Sequence, residues 1–195
     1  MARQPQPAAA RRSSGRPAQA ASRAARVRLV VLDVDGVLTD GRMIISERGD
    51  ELKSFHTHDG VAVALAKRGG LRTAMVTGES SPIAKTRGTK LGVDSIVLGA
   101  RRKGEVIEAL RAEFDVPAAA VAYIGDDLLD IPAMQAAGLA IAVADAAQAV
   151  KAAAHVVTRA RGGQGVLREC VELLLRAQGS WRRVVGAYVR EHGGR

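Results

Sequence analysis

The sequence predicts an α/β fold built on a doubly wound parallel sheet, and three observations carry that prediction. Runs such as "RLVVLD" and "AVAYIGD" are almost continuously apolar, as strands covered on both faces must be. From residue 28 onward these runs alternate with segments of helical periodicity. Polar residues gather where the runs stop, and in a parallel sheet the strand ends open onto one crevice.

Residues 1–26 are rich in Ala, Arg, Pro, Gln and Ser, lack apolar periodicity and read as a disordered basic arm. Their acid-free Arg/Ser content also resembles an organelle transit peptide. The folded domain is expected over 27–178, opening with a strand at 28–34. "GRMIISERGDELKSF" (41–55) interrupts the alternation as two short strands around the polar turn "SERGD", an inserted β-hairpin. Strands are then expected at 71–76, 94–98, 120–124 and 139–143, with a weaker one at 155–157. Helices are expected at 60–68, 82–91, 103–114, 128–137, 146–153 and 165–177. Past Gly179 the last helix is expected to continue into a basic C-terminal tail, 179–195, whose Trp181 and Tyr188 can pack on the body or on a neighbouring subunit.

The chain of 195 residues has room for one domain of ordinary size. Aromatic residues make up only 3%, so the core must come from Ala, Val, Leu and Ile. No apolar run approaches the roughly 18 residues of a membrane-spanning helix, and no membrane partner is expected. Cys170 is the single cysteine, which excludes an internal disulfide and a multi-cysteine zinc site and suggests a reducing, cytoplasmic setting. The net charge of +9 sits in the two ends, leaving residues 27–175 at −1. A polyanion would therefore meet the arms without sequence choice, and no specific nucleic-acid partner is expected.

Chemistry concentrates at the expected strand ends. Asp33 and Asp35 close the first strand, and Thr77 closes the second in "AMVTGES". Asp126, Asp127 and Asp130 follow the fourth in "AYIGDDLLD", and Lys103 opens the helix after the third. Two ionised carboxylates about 4 Å apart repel by roughly 4 kcal/mol at the effective dielectric near a protein surface. A bound cation offsets that repulsion, as do solvated side chains pointing apart. Crowded carboxylates suit Mg²⁺ with a substrate phosphate. In such a site Asp33 can attack phosphorus, and Asp35 can protonate the leaving alcohol and later deprotonate water. Thr77, the N–H of Gly78 and Lys103 can neutralise the non-bridging oxygens. Singly, each signal has a plain structural reading: Asp-x-Asp-Gly and "GDD" as turns or caps, Thr-Gly as turn chemistry, Lys103 as a solvated charge. Their order, each at a strand end or helix start, favours the chemical reading.

"DVDGVLTDG", "VTGE", Lys103 and "YIGDDLLD" resemble the four motifs of the haloacid dehalogenase-like phosphatases. Together with "FHTHDG", "GLAIAVADA" and "GGQGVLRE" they resemble the 3-deoxy-D-manno-octulosonate 8-phosphate phosphatase group over residues 27–178. The resemblance implies a Mg²⁺-dependent phosphatase that hydrolyses a keto-deoxy sugar acid phosphate through an aspartyl-phosphate. It implies a metal held by Asp33, the backbone carbonyl of Asp35, and Asp126, with Asp130 outside or binding through water and Asp127 capping a helix. Independently, 41 residues separate Asp35 from Thr77 and 25 separate Thr77 from Lys103, too few for a cap domain in either gap. The resemblance implies a homotetramer whose sites are completed by neighbours, with "GRMIISERGDELKSF" and "RGGQGVLRE" at the interface.

The chain departs from the group's pattern at two points. Glu79 stands where octulosonate-type members more often resemble "TGR"; "TGE" with a lysine eleven residues on resembles phosphatases of nine-carbon sugar acid 9-phosphates, and Lys90 occupies that place. A helix of that length spans roughly 16 Å, so Glu79 and Lys90 would meet only across subunits or act separately on substrate; both also read as surface charges. In "FHTHDG", His56, His58, Asp59 and Gly60 are candidate substrate contacts, although the group more often resembles "FN" with Arg or Ser before "DG". His155 and Cys170 read as structural. Two rivals stay open: a non-catalytic phosphate-binding regulator, and a phosphotransferase to a sugar.

Overall fold

The computed structural model describes residues 16–194. In chain order the first elements are α1 (Arg16–Ala24), β1 (Leu29–Leu32), β2 (Ile44–Ile45), β3 (Glu51–Leu52), α2 (Thr57–Arg68) and β4 (Arg72–Val76). Next come α3 (Pro82–Leu91), β5 (Ser95–Val97), α4 (Lys103–Glu113) and β6 (Val121–Gly125). The remainder is α5 (Ile131–Ala136), β7 (Leu139–Ala142), α6 (Gln148–Ala153), β8 (Val156–Val157), α7 (Val166–Ala177) and α8 (Trp181–Glu191).

Six strands form a parallel sheet in the order β5-β4-β1-β6-β7-β8. All four residues of β1 are buried, because helices cover the sheet on both faces. Val31 lies opposite Ala74 of β4 and Tyr123 of β6. The chain leaves β1 for β4 and β5 on one side, then crosses to β6 on the other. That reversal opens a crevice at the carboxyl ends of β4, β1 and β6. α2 packs along α7, which also carries α1 and α8, while α4 packs along α5. Between β1 and β4 stand only the hairpin and α2, and between β4 and α4 only α3 and β5, so no cap domain covers the crevice.

The hairpin pairs Ile44 with Leu52 and Ile45 with Glu51. Its turn is closed by Ser46, whose Oγ accepts the N–H groups of Arg48 and Asp50 at 3.2 and 3.0 Å, and by Gly49 at φ +84°. The expected 128–137 helix is instead a 3₁₀ turn over Leu128–Asp130 followed by the short α5. Pro132 cannot donate a backbone bond into the preceding turn, and the Asp130 carboxylate folds back onto the N–H groups of Asp126 and Asp127. α2 begins at Thr57, earlier than expected, because His56 serves as its cap: Nδ1 accepts the His58 N–H at 3.2 Å.

Among the described residues, helices lie within both segments that the sequence suggested to be an arm and a tail. Within the segment read as disordered, residues 16–24 form α1; residues 1–15 lie outside the described residues. The reason is packing that a periodicity search over an Ala-rich stretch does not register. Ala24 is fully buried against the body, and Arg23 donates to the Gly138 carbonyl at 2.6 Å. At the other end Gly179, at φ +67°, stops α7 and α8 folds back onto α2 and α7. Trp181 stacks under Arg168 and Arg176, and Tyr188 under Arg68, so both aromatics pack on their own body. Among the described residues no helix is long and apolar enough to cross a membrane.

Candidate active site

Asp33 emerges at the end of β1, where the chain must leave the buried sheet. Its carboxylate is almost wholly buried, with Oδ2 at 2.9 Å from Lys103 Nζ. Lys103, at the start of α4, reaches the same place from the other side of the crevice and bonds Asp130 Oδ1 at 2.7 Å. Asp130 also accepts from Tyr123 Oη at 2.7 Å on Oδ1, and from the N–H groups of Asp126 and Asp127 at 2.8 and 3.2 Å on Oδ2. Its acceptor positions are thereby filled. Asp127 occupies the N-cap of the 3₁₀ turn.

Two carboxylate oxygens are left over. Asp33 Oδ1 and Asp126 Oδ1 are buried and accept no hydrogen bond from any described residue. Oxygens of Asp33, Asp126 and Asp130 all lie within 4.8 Å of one another. Burial, then the Asp130 charge, pushes the Asp33 pKa up to about 7 despite Lys103. Burial, then the charges of Asp33 and Asp130, pushes Asp126 up to about 8. For Lys103, burial opposes the ammonium, but Asp33 and Asp130 more than reverse this and its pKa is raised. A buried and a half-buried carboxylate with orphaned oxygens, beside one ammonium already shared between Asp33 and Asp130, lack a positive charge. Gly36, at φ +84°, leaves the space: a Cβ there would collide with the Asp126 carboxylate. The donor set is oxygen only, so the residues fit a hard divalent cation.

Asp35 lies on the other wall. Its Oδ1 pairs with Lys53 Nζ at 2.6 Å, and its Oδ2 is 3.4 Å from Thr77 Oγ1. Thr77 is buried at the end of β4 and accepts the Glu79 N–H at 3.1 Å. Asp33, Asp35, Thr77, Gly78, Glu79, Lys103, Asp126, Asp127 and Asp130, with Gly41, Met43 and Leu129, line a cavity of about 280 Å³.

Other candidates lie elsewhere. Lys90 is exposed at the far end of α3 and does not line this cavity. His56, His58, Asp59 and Gly60 do not line it either. Asp59 is buried, accepts the Arg168 N–H at 3.2 Å and so anchors the start of α7 to α2. "RGGQGVLRE" begins against its own chain: Gly163 donates to the Val37 carbonyl at 3.0 Å, and a Cβ at Gly162 would collide with the Gly36 carbonyl. His155 Nδ1 accepts the Ala140 N–H at 2.9 Å, joining β7 to the segment entering β8. Cys170 is buried, which raises its thiol pKa. Lys53 and Tyr123 join the site without being among the residues expected from the sequence. For Lys53 the available signal was the alternation of Glu51, Leu52 and Lys53, which sets the two charges on one side of the hairpin.

A family model described as haloacid dehalogenase-like hydrolase matches residues 92–169. The chain is 39% identical over 158 residues to the 3-deoxy-D-manno-octulosonate 8-phosphate phosphatase KdsC of Escherichia coli K12, covering 81% of this chain and 84% of the relative. Among solved structures, the 3-deoxy-D-manno-octulosonate 8-phosphate phosphatase of Yersinia pestis aligns with a TM-score of 0.82 and 37% identity, over 84% of this chain and 89% of that one. The Moraxella catarrhalis phosphatase of the same name, in complex with magnesium, phosphate and KDO, aligns with a TM-score of 0.84 and 32% identity, over 87% of this chain and 98% of that one.

Proposed function

The chain belongs to the 3-deoxy-D-manno-octulosonate 8-phosphate phosphatase family of haloacid dehalogenase-like hydrolases, and from that premise we propose that it hydrolyses the terminal phosphomonoester of 3-deoxy-D-manno-octulosonate 8-phosphate. The observation that carries this reading is the pair of orphaned carboxylate oxygens on Asp33 and Asp126 beside Lys103. Asp33, Asp126 and the backbone carbonyl of Asp35 would hold Mg²⁺. When bound, the ion supplies positive charge that quiets the repulsion among the carboxylates and draws in the phosphate oxygens.

Asp33 attacks phosphorus. An O–P bond forms to its carboxylate as the ester P–O bond breaks, and the departing oxygen takes a proton from Asp35. Water then attacks phosphorus, Asp35 takes its proton, and the Asp33 carboxylate and inorganic phosphate are released. Lys103, Thr77 and the Gly78 N–H hold the non-bridging oxygens through both steps. Asp130 fixes Lys103 and the Asp126 backbone in place.

The nine-carbon 9-phosphate reading is favoured by one observation, that Glu79 lines the cavity. Its companion Lys90 does not, and the eight-carbon reading is preferred. The named relatives also support it. We further infer that four copies assemble. An uncapped crevice lies beside a hairpin whose Met43, Ile44, Ile45 and Leu52 are 51–66% exposed, and neighbouring copies would cover both. Phosphate release from both sugar acid phosphates, with and without Mg²⁺, tests the activity. Faster Mg²⁺-dependent release from the eight-carbon substrate is expected, with loss of about 10³-fold or more in Asp33→Asn. Release from neither ester, or an active Asp33→Asn, would contradict it.

A further inference from the structure

We propose that Lys53 is a positioning residue for Asp35, carried to the active site by the hairpin; the proposal rests on the phosphomonoesterase reading above. Residues 41–50 of the hairpin are exposed and Leu52 is 63% open to solvent, yet the Lys53 side chain is only 1% exposed. Placing an ammonium there requires compensation, which comes from Asp35 Oδ1 at 2.6 Å and Glu51 Oε1 at 3.2 Å. Among the described residues the only other side chain bonded to the Asp35 carboxylate is Thr77, at a long 3.4 Å. Lys53 therefore fixes the rotation of the Asp35 carboxylate. It occupies Oδ1 and leaves Oδ2, on the Thr77 side, to exchange a proton with the ester oxygen and with water. Lys53 touches no reacting atom in this arrangement and acts through Asp35.

A misoriented Asp35 should hurt a poor leaving group and spare a good one. The alkoxide of a sugar 8-phosphate needs a proton as its P–O bond breaks, whereas p-nitrophenolate departs as the anion. Hydrolysis of the Asp33 phosphoryl group needs Asp35 whichever ester was used. The test compares 3-deoxy-D-manno-octulosonate 8-phosphate with p-nitrophenyl phosphate in wild type, Lys53→Met and Lys53→Arg. In Lys53→Met, kcat/KM on the sugar ester is expected to fall about tenfold or more. On the nitrophenyl ester kcat/KM should hold within about twofold while kcat drops, giving a burst of nitrophenolate equal to the enzyme present. Lys53→Arg, which keeps the charge, should recover most of the loss. Equal losses of kcat/KM on the two esters, or no loss on either, would overturn the proposal. Should Lys53→Met not fold, Glu51→Gln, which loosens the second anchor, must show the same selectivity in smaller measure, and indifference there overturns it. Wild type failing to cleave either ester would count against the phosphatase reading instead.

Discussion

At Asp33 and Asp126 burial and mutual repulsion act in one direction, and the sign of the pH dependence follows. Both folded pKa values, about 7 and about 8, stand above the ordinary carboxylate range. Between about pH 4 and 8 the metal-free folded state therefore binds more protons than the unfolded chain, so this pair subtracts stability as pH rises through that window. A divalent cation competes with those protons. Thermal melts should show Mg²⁺ raising Tm more at pH 8 than at pH 6; an equal or inverted effect would remove these two groups from the ligand set. Much of this arrangement was legible because Asp33, Thr77 and Asp126 sit where apolar runs end, and in a parallel sheet those ends converge. The pairing of Lys53 with Asp35 was not legible, since 18 positions separate them and only the hairpin's path brings them together. Nor was the saturation of Asp130, which depends on Tyr123 reaching down from the strand before it.

The elements divide into those fixed by apolar pattern and those fixed by contacts between distant segments. β1, β4, β6 and β7 have near-continuous burial and were readable to within one or two residues. α1 was not readable as a docked helix; beyond Gly179 helix was readable, but not the break there or the return of α8 onto α2 and α7. Among the described side chains of α1 only Ala24 is buried, and in α8 Val184 is the single fully buried one. Among the described residues, α1 is held by its packing on α7 and β7 through buried Ala24 and by the Arg23 bond to the Gly138 carbonyl. Removing residues 1–24 is expected to lower stability by about 2 kcal/mol in denaturant unfolding while leaving kcat/KM unchanged, since α1 does not line the site cavity. A loss of activity without loss of stability would contradict this placement. The hairpin is the opposite case, with four apolar side chains turned to solvent in a single copy. Ile45→Asp should convert a tetramer to smaller species in sedimentation, with the Mg²⁺-dependent Tm shift retained; a wild-type monomer would end the assembly reading.

For the whole molecule, the doubly wound order brings β4, β1 and β6 side by side, and with them the Thr77 hydroxyl, the carboxylates of Asp33, Asp35, Asp126, Asp127 and Asp130, and the Lys103 ammonium. Fold class was readable because alternation and two-sided burial are properties of the entire chain. The choice between an eight- and a nine-carbon substrate was not, because Glu79 lies in the loop before α3 while Lys90 stands at that helix's far end, and only Glu79 meets the cavity. The central step is acceptance of phosphorus by Asp33 in a site completed by a divalent ion. The most direct check is to quench the enzyme during turnover and map phosphoryl adducts by mass spectrometry, with and without Mg²⁺. An adduct on Asp33 that forms only with the cation is the predicted result. Turnover with no adduct on Asp33, or with the phosphoryl group on another side chain, would contradict it.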